Sequence, residues 1–287
     1  MNVPAGFLVL LLALWRLGKD RVDGRGERFD WVGALLYCAG LAAVVAGFGS
    51  LPALWGLIAL PVGILGLVAF ALRQLRTTSP LLDLRLFLES RALAFSNLAA
   101  LINYSATAAV GLLLSMYLQY NRFLSPETAG LILLAQPVLQ ASLSPLAGRL
   151  SDRVQPRIVA SIGMSMTVVG PALLAFLSSE TPLVLVILDL AWLGVSFALF
   201  SSPNTNAVMS SVAQPFYGVI AGTLATMRTL GQTVLSMGIA MLVFSAVMGN
   251  EPITEANAGR FLVAARAANG VFASLARGNT LVDEGSD

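Results

Sequence analysis

Gly148-Arg149-Leu150-Ser151-Asp152-Arg153-Val154-Gln155-Pro156-Arg157 sits between two long apolar stretches, roughly Pro126–Leu150 and Ile158–Leu177. Its three arginines and one aspartate interrupt a region that is otherwise apolar. A helix needs about 20 apolar residues to cross about 30 Å of hydrocarbon, and basic residues collect in the cytoplasmic turns between such helices. The stretch therefore reads as a short cytoplasmic turn joining two membrane helices.

Composition agrees. The chain has 287 residues, 57% hydrophobic and 11% charged, with a mean hydropathy of +0.81. A soluble domain carries about 25% charged residues, so one polytopic membrane bundle fits better than two soluble domains. There is no histidine, and the one cysteine, Cys38, lies in an apolar run. An internal disulfide, a zinc site or histidine acid–base chemistry is thereby excluded for this chain, and no metal site is expected. The net charge of +2 gives no support to a nucleic-acid partner. No Gly-x-Ser-x-Gly, nucleotide-binding glycine loop or usefully spaced carboxylate pair is present, which points away from an enzyme. Met1-Asn2-Val3-Pro4 carries no basic side chain and no small-x-small site comes after it, so the start reads as the interior of a longer protein rather than a signal peptide.

Measured against the bilayer, the apolar segments give seven full spans. They are Trp31–Leu51, Ala53–Leu72, Ala92–Tyr120, Pro126–Leu150, Ile158–Leu177, Pro182–Ser202 and Gly218–Met248. Residues 1–16 read as the remnant of a preceding span, 17–30 as a cytoplasmic loop, 31–79 as two linker helices and 80–91 as an amphipathic cytoplasmic linker. Residues 92–249 form the main helical block and 250–287 a tail. In this arrangement the cytoplasmic connections hold Arg16, Lys19, Arg21, Arg25, Arg28, Arg73, Arg76, Arg85, Arg91, Arg149, Arg153 and Arg157, against Arg122 alone outside before the tail. That asymmetry sets the orientation and puts loop 149–157 in the cytoplasm of a multi-pass cell-membrane protein. The tail segment Ala258–Arg277 carries Arg260, Arg266 and Arg277 with Asn269-Gly270 at its middle. At roughly 2.5–3.5 kcal/mol per arginine near the bilayer centre it is a poor span, and spanning, surface-lying and disordered states all stay open.

Ionisable groups inside hydrocarbon are rare and default to functional candidates. Asp189 lies about 10 Å and Arg228 about 15 Å inside their segments at 1.5 Å per residue. Either Asp189 takes up protons or binds a cation while Arg228 binds an anionic group or gates, or each satisfies the other, or a polar neighbour, as a structural lock on consecutive helices. At 100° per residue Asn97, Tyr104, Thr107, Gly111 and Ser115 share one stripe with Asn103 at its edge, and Gln136, Gln140 and Ser144 share another. These stripes either line a water-filled substrate cavity or form interhelical hydrogen bonds, worth about 0.6 kcal/mol each in membranes.

The pattern Gly-x-Leu-Ser-Asp-Arg-x-x-Pro-Arg at Gly148–Arg157 resembles the signature loop between the second and third helices of a six-helix half in the major facilitator superfamily. Gln155 and Pro156 stand where that pattern has Gly and Arg. Asn2-Val3-Pro4-Ala5-Gly6, Phe29-Asp30-Trp31-Val32-Gly33, Phe200-Ser201-Ser202-Pro203-Asn204-Thr205-Asn206 and the Arg228-x-x-Gly231 pattern are similar to segments of its fourteen-span drug:proton antiporters. The resemblance implies an all-α polytopic transmembrane helix bundle, a partial major facilitator fold with about seven full spans, a partial first span and an uncertain last one. It also implies a C-terminal part with the N-terminal half missing.

The function that this resemblance implies is a proton-coupled exporter of amphipathic drugs or other small organic solutes, working by alternating access. It would use the proton gradient as energy source and no cofactor. The first and fourth helices of each half line the cavity in that fold, which favours Asn97, Tyr104 and Asp189 for the substrate or proton pathway, with Asn103, Gln136, Gln140 and Arg228. Gly148, Asp152, Arg153 and Arg157 form a conformational latch in this reading, Gly148 through close helix approach and Asp152 by bonding exposed amides at a neighbouring helix start. The other reading of the loop is a solvated turn that only sets topology. Expected partners are the lipid bilayer, a small organic substrate and a separate N-terminal half or a second copy. The alternative function is a non-transporting remnant or an accessory protein that needs a partner half.

Overall fold

Apolar stretches that must satisfy every backbone N–H and C=O without water become helices, and no strand occurs among the described residues. The structure is a computed structural model and describes residues 30–50, 53–77, 80–82, 90–248 and 258–284. The expected remnant span and its loop up to Phe29, residues 83–89 of the amphipathic linker and residues 249–257 lie outside the described residues.

Helices α1 (Trp31–Gly49) and α2 (Leu54–Arg76) form an antiparallel hairpin. Gly33, Gly40 and Gly47 recur every seventh residue on the buried stripe of α1, and Gly56 and Gly63 do so on α2. A seven-residue repeat keeps them on one seam, and small residues there let the backbones approach. A Cβ on Gly63 would stand 2.6 Å from the Val44 backbone nitrogen, and one on Gly47 2.8 Å from that of Leu60. At the base, buried Asp30 caps α1 by accepting from the Gly33 N–H at 2.9 Å. It also accepts from Arg73 Nη2 at 2.7 Å and Gln74 Nε2 at 3.0 Å, tying the two helix ends together.

The main bundle continues in order: α3 (Arg91–Tyr120), α4 (Pro126–Leu133), α5 (Ala135–Ser151), α6 (Pro156–Leu174), α7 (Leu183–Ser210), α8 (Tyr217–Leu230), a π-helical segment Gly231–Leu235, α9 (Ser236–Met248) and α10 (Ala258–Glu284). The break between α4 and α5 at Leu134 arises from Pro137, which has no N–H for the carbonyl of Leu133. Among the described residues six helices are long and apolar enough to cross a membrane: α1, α2, α3, α4 with α5, α6 and α7. The seventh expected span is helical throughout 217–248, but the π segment divides it.

Within the tail the described residues are 258–284. Residues 258–284 make one helix, Asn269-Gly270 included, packed on α3, α6 and α9. Phe261, Ala264, Ala265, Ala268, Phe272 and Ala276 fall on its buried stripe, while Arg260 and Arg277 point outward and Arg266 reaches the Leu177 carbonyl. That carbonyl belongs to a clamped turn. The Tyr117 hydroxyl donates to the Ser178 carbonyl at 2.7 Å, and Arg122 donates to that of Ser179. Three successive carbonyls between α6 and α7 are thus held from α3, its following turn and α10.

Candidate functional site

Helices α3, α5, α7 and α8 with the π segment surround a cavity of about 390 Å³. Tyr104 and Thr107 come from α3, Gln136 and Gln140 from α5, Phe197 and Ser201 from α7, Arg228 from α8 and Gln232 from the π segment. Spacings of four residues explain these pairs, since i and i+4 side chains share a helix face. Gly194 allows the α5–α7 wall: a Cβ there would meet the Gln136 carbonyl at 2.6 Å. Gly231 does the same for the π segment, whose backbone presses on the Leu101 carbonyl of α3.

The centre of the site is an ordered stack. Arg228 Cζ lies 4.8 Å from the Tyr104 ring centroid, within cation–π range. The Tyr104 and Ser201 hydroxyls share a 2.9 Å hydrogen bond. Phe197 packs edge-on to the same ring at 4.9 Å between centroids. A guanidinium, three amides and three hydroxyls beside aromatic faces suit a planar organic solute rich in hydrogen-bond acceptors.

Of the residues singled out from the sequence, Tyr104, Gln136, Gln140 and Arg228 line this cavity; Asn97, Asn103 and Asp189 do not. The Asn97 amide donates to the Leu93 carbonyl of its own helix at 2.9 Å, and Asn103 donates to Thr167 on α6 at 3.2 Å, an interhelical bond. Asp189 is buried against α6, with no hydrogen-bond partner on either carboxylate oxygen among the described residues. The mutual lock between Asp189 and Arg228 is not formed, because Arg228 engages Tyr104 on α3, a neighbour other than Asp189, while Asp189 faces α6. Ser201, Phe197 and Gln232 escaped the sequence reading. Gln232 carried a signal, one turn beyond Arg228.

At the Gly148–Arg157 turn, Asp152 and Arg153 are exposed and Arg157 is half-buried. The buried contact is made by Ser151, whose hydroxyl donates to the Gly148 carbonyl at 2.7 Å and accepts from Asn206 of α7 at 2.7 Å. Gly148 supports this approach, since a Cβ there would lie 3.2 Å from Ser202 Oγ.

Residues 96–209 match the family model of the Major Facilitator Superfamily. The chain is 29% identical over 233 residues to the riboflavin transporter RibZ of Clostridioides difficile, covering 80% of this chain and 50% of that protein. It is 30% identical over 248 residues to the multidrug resistance protein Stp of Mycobacterium tuberculosis, covering 84% and 45%. An uncharacterized transporter of Escherichia coli, YebQ, is 28% identical over 248 residues, covering 85% and 54%. The chain spans about half the length of these curated relatives. The apolar helical bundle, the family match across its central helices and these relatives support the chain as a multi-pass membrane protein of the major facilitator superfamily.

Proposed function

We propose that this chain forms the C-terminal part of a fourteen-span secondary active transporter that exports amphipathic organic solutes in exchange for protons. The observation that carries this reading is the polar cavity built around Tyr104 and Arg228 inside an otherwise apolar bundle. Ionisable and amide side chains are expensive in a membrane unless they serve water, a substrate or each other. Relatives named for riboflavin transport and multidrug resistance favour the same role. Arg228 and Gln232 are exposed on the bundle, so the cavity opens at its surface, where a second half would close the path. The turn at 149–157 is proposed to face the cytoplasm, with Gly148, Asp152, Arg153 and Arg157 as its latch and Ser151 as the buried anchor.

The test is proton-driven efflux of a fluorescent amphipathic dye from vesicles. It is run with this chain alone, with a six-helix N-terminal half supplied, and with Arg228→Gln. Efflux that needs the second half and is cut about tenfold by Arg228→Gln, an order set by the cation–π and charged hydrogen-bond range, supports the reading. A stably inserted chain with no efflux in either setting favours the accessory-protein alternative.

A further inference from the structure

Asp189 has a cavity of its own. Helices α6 and α7 touch where Gly163 meets the Phe200 backbone and Gly170 meets Leu193; a Cβ at either glycine would lie within 2.5 Å of those atoms. Beyond this crossing, toward the clamped α6–α7 turn, the helices enclose about 530 Å³ lined by Val169, Phe176, Leu185, Leu188, Trp192 and Asp189 among others. This is the end of the bundle opposite the Arg149–Arg157 turn.

Asp189 is 6% exposed, and both of its oxygens lack partners among the described residues. The other polar groups on the lining are engaged. Thr181 Oγ1 accepts from the Ser178 N–H at 2.8 Å, and the Trp192 indole N–H donates to the Met166 carbonyl at 2.9 Å. An ionised carboxylate in such surroundings demands a counter-charge. A metal ion would need several oxygen donors, and this cavity offers one carboxylate. The complement is one positive charge on an apolar body. Phe176 and Trp192 supply faces that attract an organic cation, and the volume lies within the range of about 300–1,000 Å³ typical of small-molecule sites. Phe176, Leu185 and Leu188 are largely exposed on the outside of the bundle, so the groove opens sideways, toward lipid.

We propose that the α6–α7 groove is a second binding site, separate from the central cavity, that takes an amphipathic organic cation from the membrane. Its ammonium sits on Asp189 and its apolar body lies between Phe176, Leu185 and Trp192. The turn held by Tyr117, Arg122 and Arg266 keeps the rim in place.

The probe is a dansyl-labelled dodecyl trimethylammonium, with the uncharged dansyl dodecanol as its match, added to the full chain in phosphatidylcholine nanodiscs. The expected result is saturable binding of the cation, weakened about tenfold or more by Asp189→Asn, as for loss of a charged partner. Leu185→Trp, which fills the groove and keeps the carboxylate, gives the same loss, while Glu127→Gln, which removes an exposed carboxylate at the start of α4, leaves binding unchanged. Equal binding of the uncharged match, non-saturable partitioning, retention of affinity in either groove variant, or loss in Glu127→Gln would overturn the proposal.

Discussion

The Arg228 guanidinium is stacked 4.8 Å from the centroid of the Tyr104 ring, and the ring is held in turn by a 2.9 Å bond from its hydroxyl to Ser201. Tyr104→Phe keeps the stack and loses the hydroxyl bond; Tyr104→Leu loses both. Competition binding of an acceptor-rich aromatic solute is expected to weaken about threefold in the first and about tenfold in the second, from the usual range of cation–π energies. Equal affinities for the two variants would remove the stack from solute recognition.

The Asp30 carboxyl is held down to about 2, first by the Arg73 hydrogen bonds and then by the Gly33 N–H. A folded-state value below the ordinary one of about 3.9 means stability that is present above pH 4 and lost as pH falls toward 2. Asp30→Asn is expected to melt lower than the parent at neutral pH. The gap between the two should close on acidification between pH 4 and 2. Thermal melts of both proteins across that range check this, and a gap independent of pH would rule out the ionised clamp.

Glycine positions differ sharply in what a methyl group would meet. At Gly163 the added carbon would lie 2.5 Å from the Phe200 backbone nitrogen, whereas at Gly111 nothing lies within 4 Å. Gly163→Ala is expected to cost about 1–3 kcal/mol through overpacking. Gly111→Ala is expected to stabilise by about 0.5–1 kcal/mol through helix propensity. Denaturation of the two variants in the same detergent separates them by sign.

At the signature turn the buried serine, not the exposed aspartate, carries the contact to α7. Ser151→Ala removes the acceptor of the Asn206 amide and should cost about 1 kcal/mol. Asp152→Asn should stay within about 0.5 kcal/mol of the parent, as exposed substitutions do. A thermal loss in Asp152→Asn equal to that in Ser151→Ala would show that Asp152 has a structural partner.

Legibility in the sequence depended on the kind of physics involved. Apolar length placed α3, the α4–α5 pair and α6 to within three residues, because a membrane helix satisfies its backbone locally. It placed the start of α7 but not its end, since the helix runs past the expected Ser202 through polar residues to Ser210. Periodicity also put Gln136 with Gln140 and set Tyr104 on a polar stripe, because a helix face is a local property. Tertiary packing decided which neighbour each face meets. It sent Asn103 to Thr167, turned Arg228 onto Tyr104 and left Asp189 between α6 and α7. The same distinction governs the tail. Its three arginines made it a poor span and left its state open; in the structure the alanine stripe from Ala264 to Ala276 packs on α3 and α6, with Arg260 and Arg277 turned away from that contact. The sequence by itself determined a polytopic helical bundle with a charged turn at Gly148–Arg157, since those features depend only on residues near one another in the chain. The tertiary structure alone decided the stacked cavity, the Ser151–Asn206 tie and the separate Asp189 groove, since each depends on helices distant in sequence meeting at a particular face.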